Sequence, residues 1–354
     1  MTQRVTVITP RAPASERFSR TLEAALRDIP AQIQTTLESP LEHRRILFAV
    51  PLDESGVNHG FYDLLSFLRT HPGCLRGCVG GVLVDGPGDL YTKSVGRDLV
   101  LAASLAGCVF PGRPLVEATG DLKNFTVQAK NANCDLLGAY HLAAADLASR
   151  VLTFERPRAK RPNILVLHAS SRTTSNTLAL WSRVRAELEP ACDITEIGLR
   201  NGTLEDCAGC PYTTCLHFGE QGECFYGGVM VQEVYPALRE ADAVVLLCPN
   251  YNDALSANLT AAINRLTALY RTTPFHDKAV FALVVSGYSG GDIVASQVVS
   301  ALNMNKGFWL PSEFCLLETA NDAGTAIRLP GIEERLSQFA ENMLRQLLAS
   351  ASKS

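Results

Sequence analysis

The chain has 354 residues, with 32 Lys and Arg against 36 Asp and Glu and a formal net charge of −4. That length accommodates two domains with full hydrophobic cores, so neither disulfides nor metals are required as staples. The near-neutral balance, with no long run of either sign, argues against a nucleic-acid-binding surface or a polybasic membrane patch.

The first half alternates short apolar runs with amphipathic segments, the pattern of a parallel sheet covered on both faces by helices. Strands are predicted at 5–10, 33–38, 45–50, 79–85 and 114–118, with helices near 15–28, 61–69, 93–106 and 124–152. A basic segment with two prolines, "ERPRAKRP" at 155–162, then reads as a linker between domains at 1–155 and 163–350. The second half repeats the pattern, with strands at 163–169, 193–199, 243–249, 278–286 and 313–319 and helices at 175–188, 231–241, 254–270, 292–306 and 331–349. Pro51 and Pro249, Gly86 and Gly287, Pro111 and Pro311, and Glu117 and Glu318 are each about 200 residues apart, which points to an internal repeat. The expected fold is α/β: two tandem, doubly wound, five-stranded parallel sheets.

No apolar stretch approaches the roughly eighteen residues of a membrane span. Met1 to Pro10 lacks the apolar core of a secretory signal, so the sequence reads as a soluble, cytoplasmic protein. In a reducing compartment the eleven cysteines should remain thiols. Seven of them, Cys74, Cys78, Cys108, Cys134, Cys192, Cys248 and Cys315, are scattered and read as small buried hydrophobes.

Three loops carry the functional signal. After the first strand of the second half, "HASSRTTSNT" offers hydroxyls from Ser170, Ser171, Ser175 and Thr177, the Asn176 amide, the Arg172 charge and the free N–H groups of a helix start. Together these make a cradle for a phosphate dianion, although Ser175 could equally be an ordinary helix N-cap. After the third strand comes "PNYND", with Pro249, Asn250, Tyr251 and Asn252. After the fourth comes "SGYSGG", with Ser286, Gly287, Tyr288, Gly290 and Gly291. Each of these two could be a plain turn, but loops on one sheet edge are what a mononucleotide needs, with its ring between them. No GxGxxG follows a strand, so no dedicated nicotinamide domain is expected. His168, Tyr251 and Tyr288 are candidates for acid or base by position only.

Between the second and third strands lies "DCAGCPYTTCLHFGEQGEC", with Cys207, Cys210, Cys215 and Cys224 in C-x2-C-x4-C-x8-C spacing. Four thiolates on one loop can ligate a [4Fe-4S] cluster or a tetrahedral zinc, or remain free redox thiols. His217 is a substitute ligand or a solvated loop residue.

On these four loops the second half, from Asn163 to Ser350, resembles the flavodoxin-like NAD(P)H-dependent FMN reductases and, among them, the iron-sulfur flavoproteins. The resemblance implies bound FMN, its phosphate at Ser170, Ser171, Arg172, Ser175, Asn176 and Thr177 and its isoalloxazine at Pro249 to Asn252 and Ser286 to Gly291. It further implies NAD(P)H as a transient donor, a small-molecule acceptor or redox protein as electron-transfer partner, and a homodimer whose subunits complete each other's flavin edge. A [4Fe-4S] cluster at the four cysteines is also implied, although this spacing is wider than that of the iron-sulfur flavoproteins. The first half has "TPRAPASERF" in place of the phosphate loop and no cysteine loop, so it reads as a degenerate flavodoxin-like domain without FMN.

Overall fold

The computed structural model describes residues 4–12, 15–170 and 174–349. The chain divides into two compact units, Met1–Glu155 and Arg156–Ser354.

In the first unit five strands, β1 (Val5–Ile8), β2 (Ala31–Gln34), β3 (Arg45–Pro51), β4 (Val79–Asp85) and β5 (Leu115–Ala118), form one parallel sheet in the order β2-β1-β3-β4-β5. The central strands β3 and β4 are apolar along almost their whole length because helices cover both faces. Edge strand β2, by contrast, is polar and largely exposed. Helices α1 (Glu16–Leu26), α2 (His59–Thr70) and α3 (Thr92–Leu105) follow β1, β3 and β4, α4 (Thr126–Ala132) and α5 (Leu136–Thr153) both follow β5, and β2 leads to β3 without a helix. Phe18 and Ala25 of α1 meet Tyr140, Ala144, Leu147 and Val151 of α5 over Val5, Val7, Leu47 and Leu83 of the sheet. The single helix expected at 124–152 is broken: α4 stops at Asn133 in the left-handed region (φ 52°), and Asp135 caps α5 by accepting from Gly138 N at 2.7 Å.

The second unit repeats this order as β7-β6-β8-β9-β10, all parallel, with β6 (Asn163–His168), β7 (Asp193–Gly198), β8 (Ala243–Pro249), β9 (Ala279–Ser286) and β10 (Cys315–Thr319). Its helices are α6 (Asn176–Leu188), α7 (Tyr212–Glu220), α8 (Tyr235–Glu240), α9 (Ala257–Tyr270), α10 (Gly291–Val298) and α11 (Ile332–Leu347). Helix α10 continues as a π-helical segment to Lys306, and another π-helical segment precedes α8. Helix α7 lies inside the cysteine segment, which sequence reasoning treats as a plain loop; Pro211 immediately before it and Gly222 just after it are the punctuation that marks it. In both units the first strand lies between the second and the third, the order of doubly wound flavodoxin-like sheets, whose switch point opens at the carboxyl ends of the first and third strands.

Candidate functional site

Three of the predicted segments meet at the carboxyl edge of the second sheet. Asn250, just past β8, donates from Nδ2 toward Ser286 Oγ at 3.1 Å, Ser289 O at 3.0 Å and Asp253 Oδ1 at 3.2 Å. Its side-chain oxygen is buried and has no partner. Asn252 and Asp253 both have positive φ, 55° and 56°, which folds the loop back under itself. Opposite them Gly290 has φ 81°, and a Cβ there would lie 2.0 Å from Asp253 Oδ1. The loops after β8 and β9 can therefore pack this closely only with glycine at 290. Tyr251 and Tyr288 stand out from the two loops, 62% and 81% exposed, as free aromatic faces. Gln297 is a supporting residue that sequence reasoning misses. Its Oε1 accepts from Leu255 N and its Nε2 donates to Asp253 O, both at 2.9 Å, which pins the β8 loop to α10. Nothing in the sequence of α10, GDIVASQV, which also carries Asp292 and Ser296, singles it out.

On the phosphate side Ser175 is the N-cap of α6, its Oγ accepting from Leu178 N at 3.4 Å and lying 2.9 Å from Thr177 Oγ1. Thr177 is buried, and the first amides of α6 have no acceptor within the helix. Asn176 departs from the sequence expectation. Its Nδ2 donates to Ala320 O at 3.2 Å and Asp322 O at 2.9 Å, while its Oδ1 accepts from Ala326 N at 3.2 Å. The amide is thus committed to the loop after β10 and positions α6, leaving no donor for a phosphate. Ser171 and Arg172 lie outside the described residues. Ser170 contributes its carbonyl to His168 Nδ1 at 3.1 Å, and His168 Nε2 lies 3.5 Å from Glu196 Oε1. His168 is therefore engaged on both ring nitrogens and braces the end of β6.

The four cysteines of the loop line one cavity of about 320 Å³, together with Tyr212, Phe218, Phe225, Tyr226, Arg265 and Arg271 among others. Cys207 is exposed and the other three are half-buried. Among the described residues, however, no three His, Cys, Asp or Glu side chains are grouped so as to hold a metal ion. The four cysteines thus share one cavity without being grouped as a ligand set, Cys215 lying on α7 and Cys207, Cys210 and Cys224 on the segments beside it. His217 is engaged with Gln221, at 3.3 Å between side-chain nitrogens. Asn258 bonds Leu199 O and Asn264 bonds Asp206, so the segment is laid along α9. Cavity-lining residues Asn264 to Arg271 begin seven residues into that helix, which at 1.5 Å per residue places them roughly 10–20 Å from the carboxyl edge. Burial pushes the Tyr235 phenol well up, with Cys224 adding to the effect, and this phenol donates to Arg265 O at 2.6 Å.

Residues 162–322, which hold the second sheet, match the family of NADPH-dependent FMN reductases, and an FMN-dependent oxidoreductase is the activity this match supports. The chain is similar to the apo form of an NADH:FMN oxidoreductase, 14% identical over 54% of this chain and 92% of that one, with a TM-score of 0.38. It is similar also to an NAD(P)H:quinone oxidoreductase from Methanothermobacter marburgensis, 13% identical over 52% and 99% of the two chains, TM-score 0.40. An azoreductase from Bacillus anthracis is 17% identical over 51% and 96%, TM-score 0.36. No curated protein matches the sequence. Among the described residues no helix is long and apolar enough to cross a membrane.

The second unit contrasts with the first at the corresponding edge. There Arg17, in the first turn of α1, donates to Asp85 Oδ2 and Oδ1 at 3.0 and 2.7 Å, and to the carbonyls of Gly86, Thr119 and Gly120. One guanidinium thereby joins α1 to the ends of β4 and β5.

Proposed function

We propose that the second unit holds FMN with its phosphate at the start of α6, met by Ser170, Ser175 and Thr177 and by Ser171 and Arg172, and its isoalloxazine between Pro249–Asn252 and Ser286–Gly291. The observation that carries this reading is Asn250, which ties the loops after β8 and β9 into one platform at the carboxyl edge. Bound there, FMN supplies two-electron chemistry, accepting hydride equivalents from NAD(P)H and releasing electrons to a small acceptor or a redox partner. The chain's own residues orient and shield: the β8 and β9 loops fix the plane of the ring, the α6 amides favour the phosphate charge, and Tyr251 and Tyr288 offer faces for a stacked nicotinamide or acceptor.

Spectra of the purified protein, followed by FMN titration of the apo form and steady-state NADPH and NADH oxidation with quinones, test the reading. A protein that takes up no FMN would end it. One that binds FMN yet oxidises no nicotinamide would be an electron carrier instead. The first unit, with Arg17 across the corresponding edge, is assigned no flavin.

A second reading retains a [4Fe-4S] cluster at Cys207, Cys210, Cys215 and Cys224, supported by their shared cavity and disfavoured by the spread of the sulfurs. Iron and acid-labile sulfide assays on anaerobically purified protein decide it, and their absence removes the cluster without touching the flavin assignment.

A further inference from the structure

The connection from β10 to α11, residues 320–331, touches both ends of the proposed flavin site. Its start lies against the loop after β9: Ala320 N donates to Ser286 O at 2.8 Å, and a Cβ on Gly287 would stand 3.1 Å from Asn321 Oδ1. Its middle holds the phosphate side, because Asn176, the first residue of α6, donates to Ala320 O and Asp322 O and accepts from Ala326 N. Thr325 Oγ1 donates to the same Asp322 carbonyl at 2.6 Å, and Ala326 is buried. One guanidinium then fixes both ends of the connection. Arg335, on α11, donates from Nε and Nη2 to the two oxygens of Glu318 at 2.7 and 2.8 Å, and from Nη1 to Pro330 O at 2.8 Å. Glu318 is the last residue but one of β10, and its side chain is 6% exposed against 40% for Arg335. A carboxylate this buried depends on its partner.

We propose that Arg335 is a positioning residue of the flavin site, setting the start of α6 against the loops after β8 and β9 through this connection and Asn176. The inference rests on the FMN placement proposed above. The Arg335 hydrogen bonds go to Glu318 and Pro330, so this residue acts through the chain and not on the ligand. Its bidentate fork fixes direction as well as distance. The Asn176 amide likewise uses both donor and acceptor on the connection, which fixes the orientation of the first turn of α6. The amides of that turn are what favour a phosphate. They do so only when aimed at one point, since a site whose supporting residues let it shift by about 1 Å loses its function. Glu318 and Arg335 belong to none of the loop motifs, and the return of the chain from α11 to the end of β10 is what gives them this role.

FMN titration of the full-length protein, read by quenching of flavin fluorescence well below the unfolding temperature, tests this role. Arg335→Ala and Asn176→Ala should each weaken FMN by about tenfold or more, with one site per chain retained at saturation. Arg335→Lys, which keeps the charge and loses the fork, should weaken it by about threefold. Arg185→Ala, which removes a surface ion pair with Glu189 elsewhere on α6, should leave the affinity as it was. Because Arg335 and Asn176 act through one connection, the double variant should lose no more than the greater single loss. The proposal is overturned by an affinity that Arg335→Ala leaves unchanged, by an equal loss in Arg185→Ala, or by fully additive losses in the double variant. Should Arg335→Ala not fold, an affinity that Arg335→Lys leaves unchanged overturns it. A parent protein that takes up no FMN ends the flavin assignment and this role with it, whereas uptake with unaltered affinity in the variants ends the positioning role alone.

Discussion

Asn250 Nδ2 stands 3.1 Å from Ser286 Oγ, and through this contact the loops after β8 and β9 become one platform. Replacing Asn250 by Ala removes the link and the free amide oxygen together. FMN affinity, read by quenching of flavin fluorescence, should fall by about tenfold or more, the loss of one or two hydrogen bonds of about 1 kcal/mol each. An unchanged affinity would remove Asn250 from the site.

Gly290 supplies a second test of the platform. Gly290→Ala adds a Cβ 2.0 Å from Asp253 Oδ1 on a backbone at φ 81°. The expected cost is about 1–3 kcal/mol of backbone strain, seen as a lower thermal midpoint and weaker FMN binding. Gly202, also at positive φ but with nothing within 4 Å of a built Cβ, is the matched control. Ala at 202 should cost less and leave FMN affinity as it was.

Much of the architecture is legible in the amino-acid pattern because buried parallel strands such as 243–249 and 279–286 are near-continuous apolar runs that no surface element imitates. The ring-side loops are legible for a related reason, since Asn and Gly at strand ends are required by positive φ. Side-chain commitments are not visible in this way. Asn176 looks like a phosphate donor in a hydroxyl-rich loop, and only the return of the chain near Ala320 to Ala326, some 150 positions later, shows where its amide goes. The cysteine segment is similar: spacing alone says nothing of α7 or of Asn258 and Asn264 of α9, which hold the segment at Leu199 O and Asp206.

Arg17 makes the first unit independently testable. Its side chain is 22% exposed and that of Asp85 5% exposed, so Arg17→Ala strands a buried carboxylate and should cost about 3–5 kcal/mol. The two tryptophans, Trp181 and Trp309, both lie in the second unit. Denaturant unfolding of the variant should therefore show an early loss of helical circular dichroism without change in tryptophan emission. Simultaneous loss of both signals would mean that the units unfold as one.

Buried thiols give the protein an alkaline limit. Burial pushes Cys78 and Cys192 from 9.0 up to about 11, and Cys108, Cys248 and Cys315 are raised further by the same desolvation. Because the folded-state values lie above the unfolded ones, their contribution is fully present below pH 9 and is lost as pH rises toward 11. Stability measured by urea midpoint should fall across that window, and Cys192→Ala should flatten part of the fall. Below pH 9 these thiols should resist alkylation while exposed Cys207 reacts first.

The Arg17 clasp has a consequence for how the protein is cut. A single side chain meets Asp85 and three carbonyls at the carboxyl edge of the first sheet. The first unit thus closes this edge with one of its own side chains, and it precedes the second unit along the chain. If the two units unfold separately, protein prepared without FMN should be cut by protease first in the second unit, and addition of FMN should slow that cleavage while leaving the first unit's unchanged.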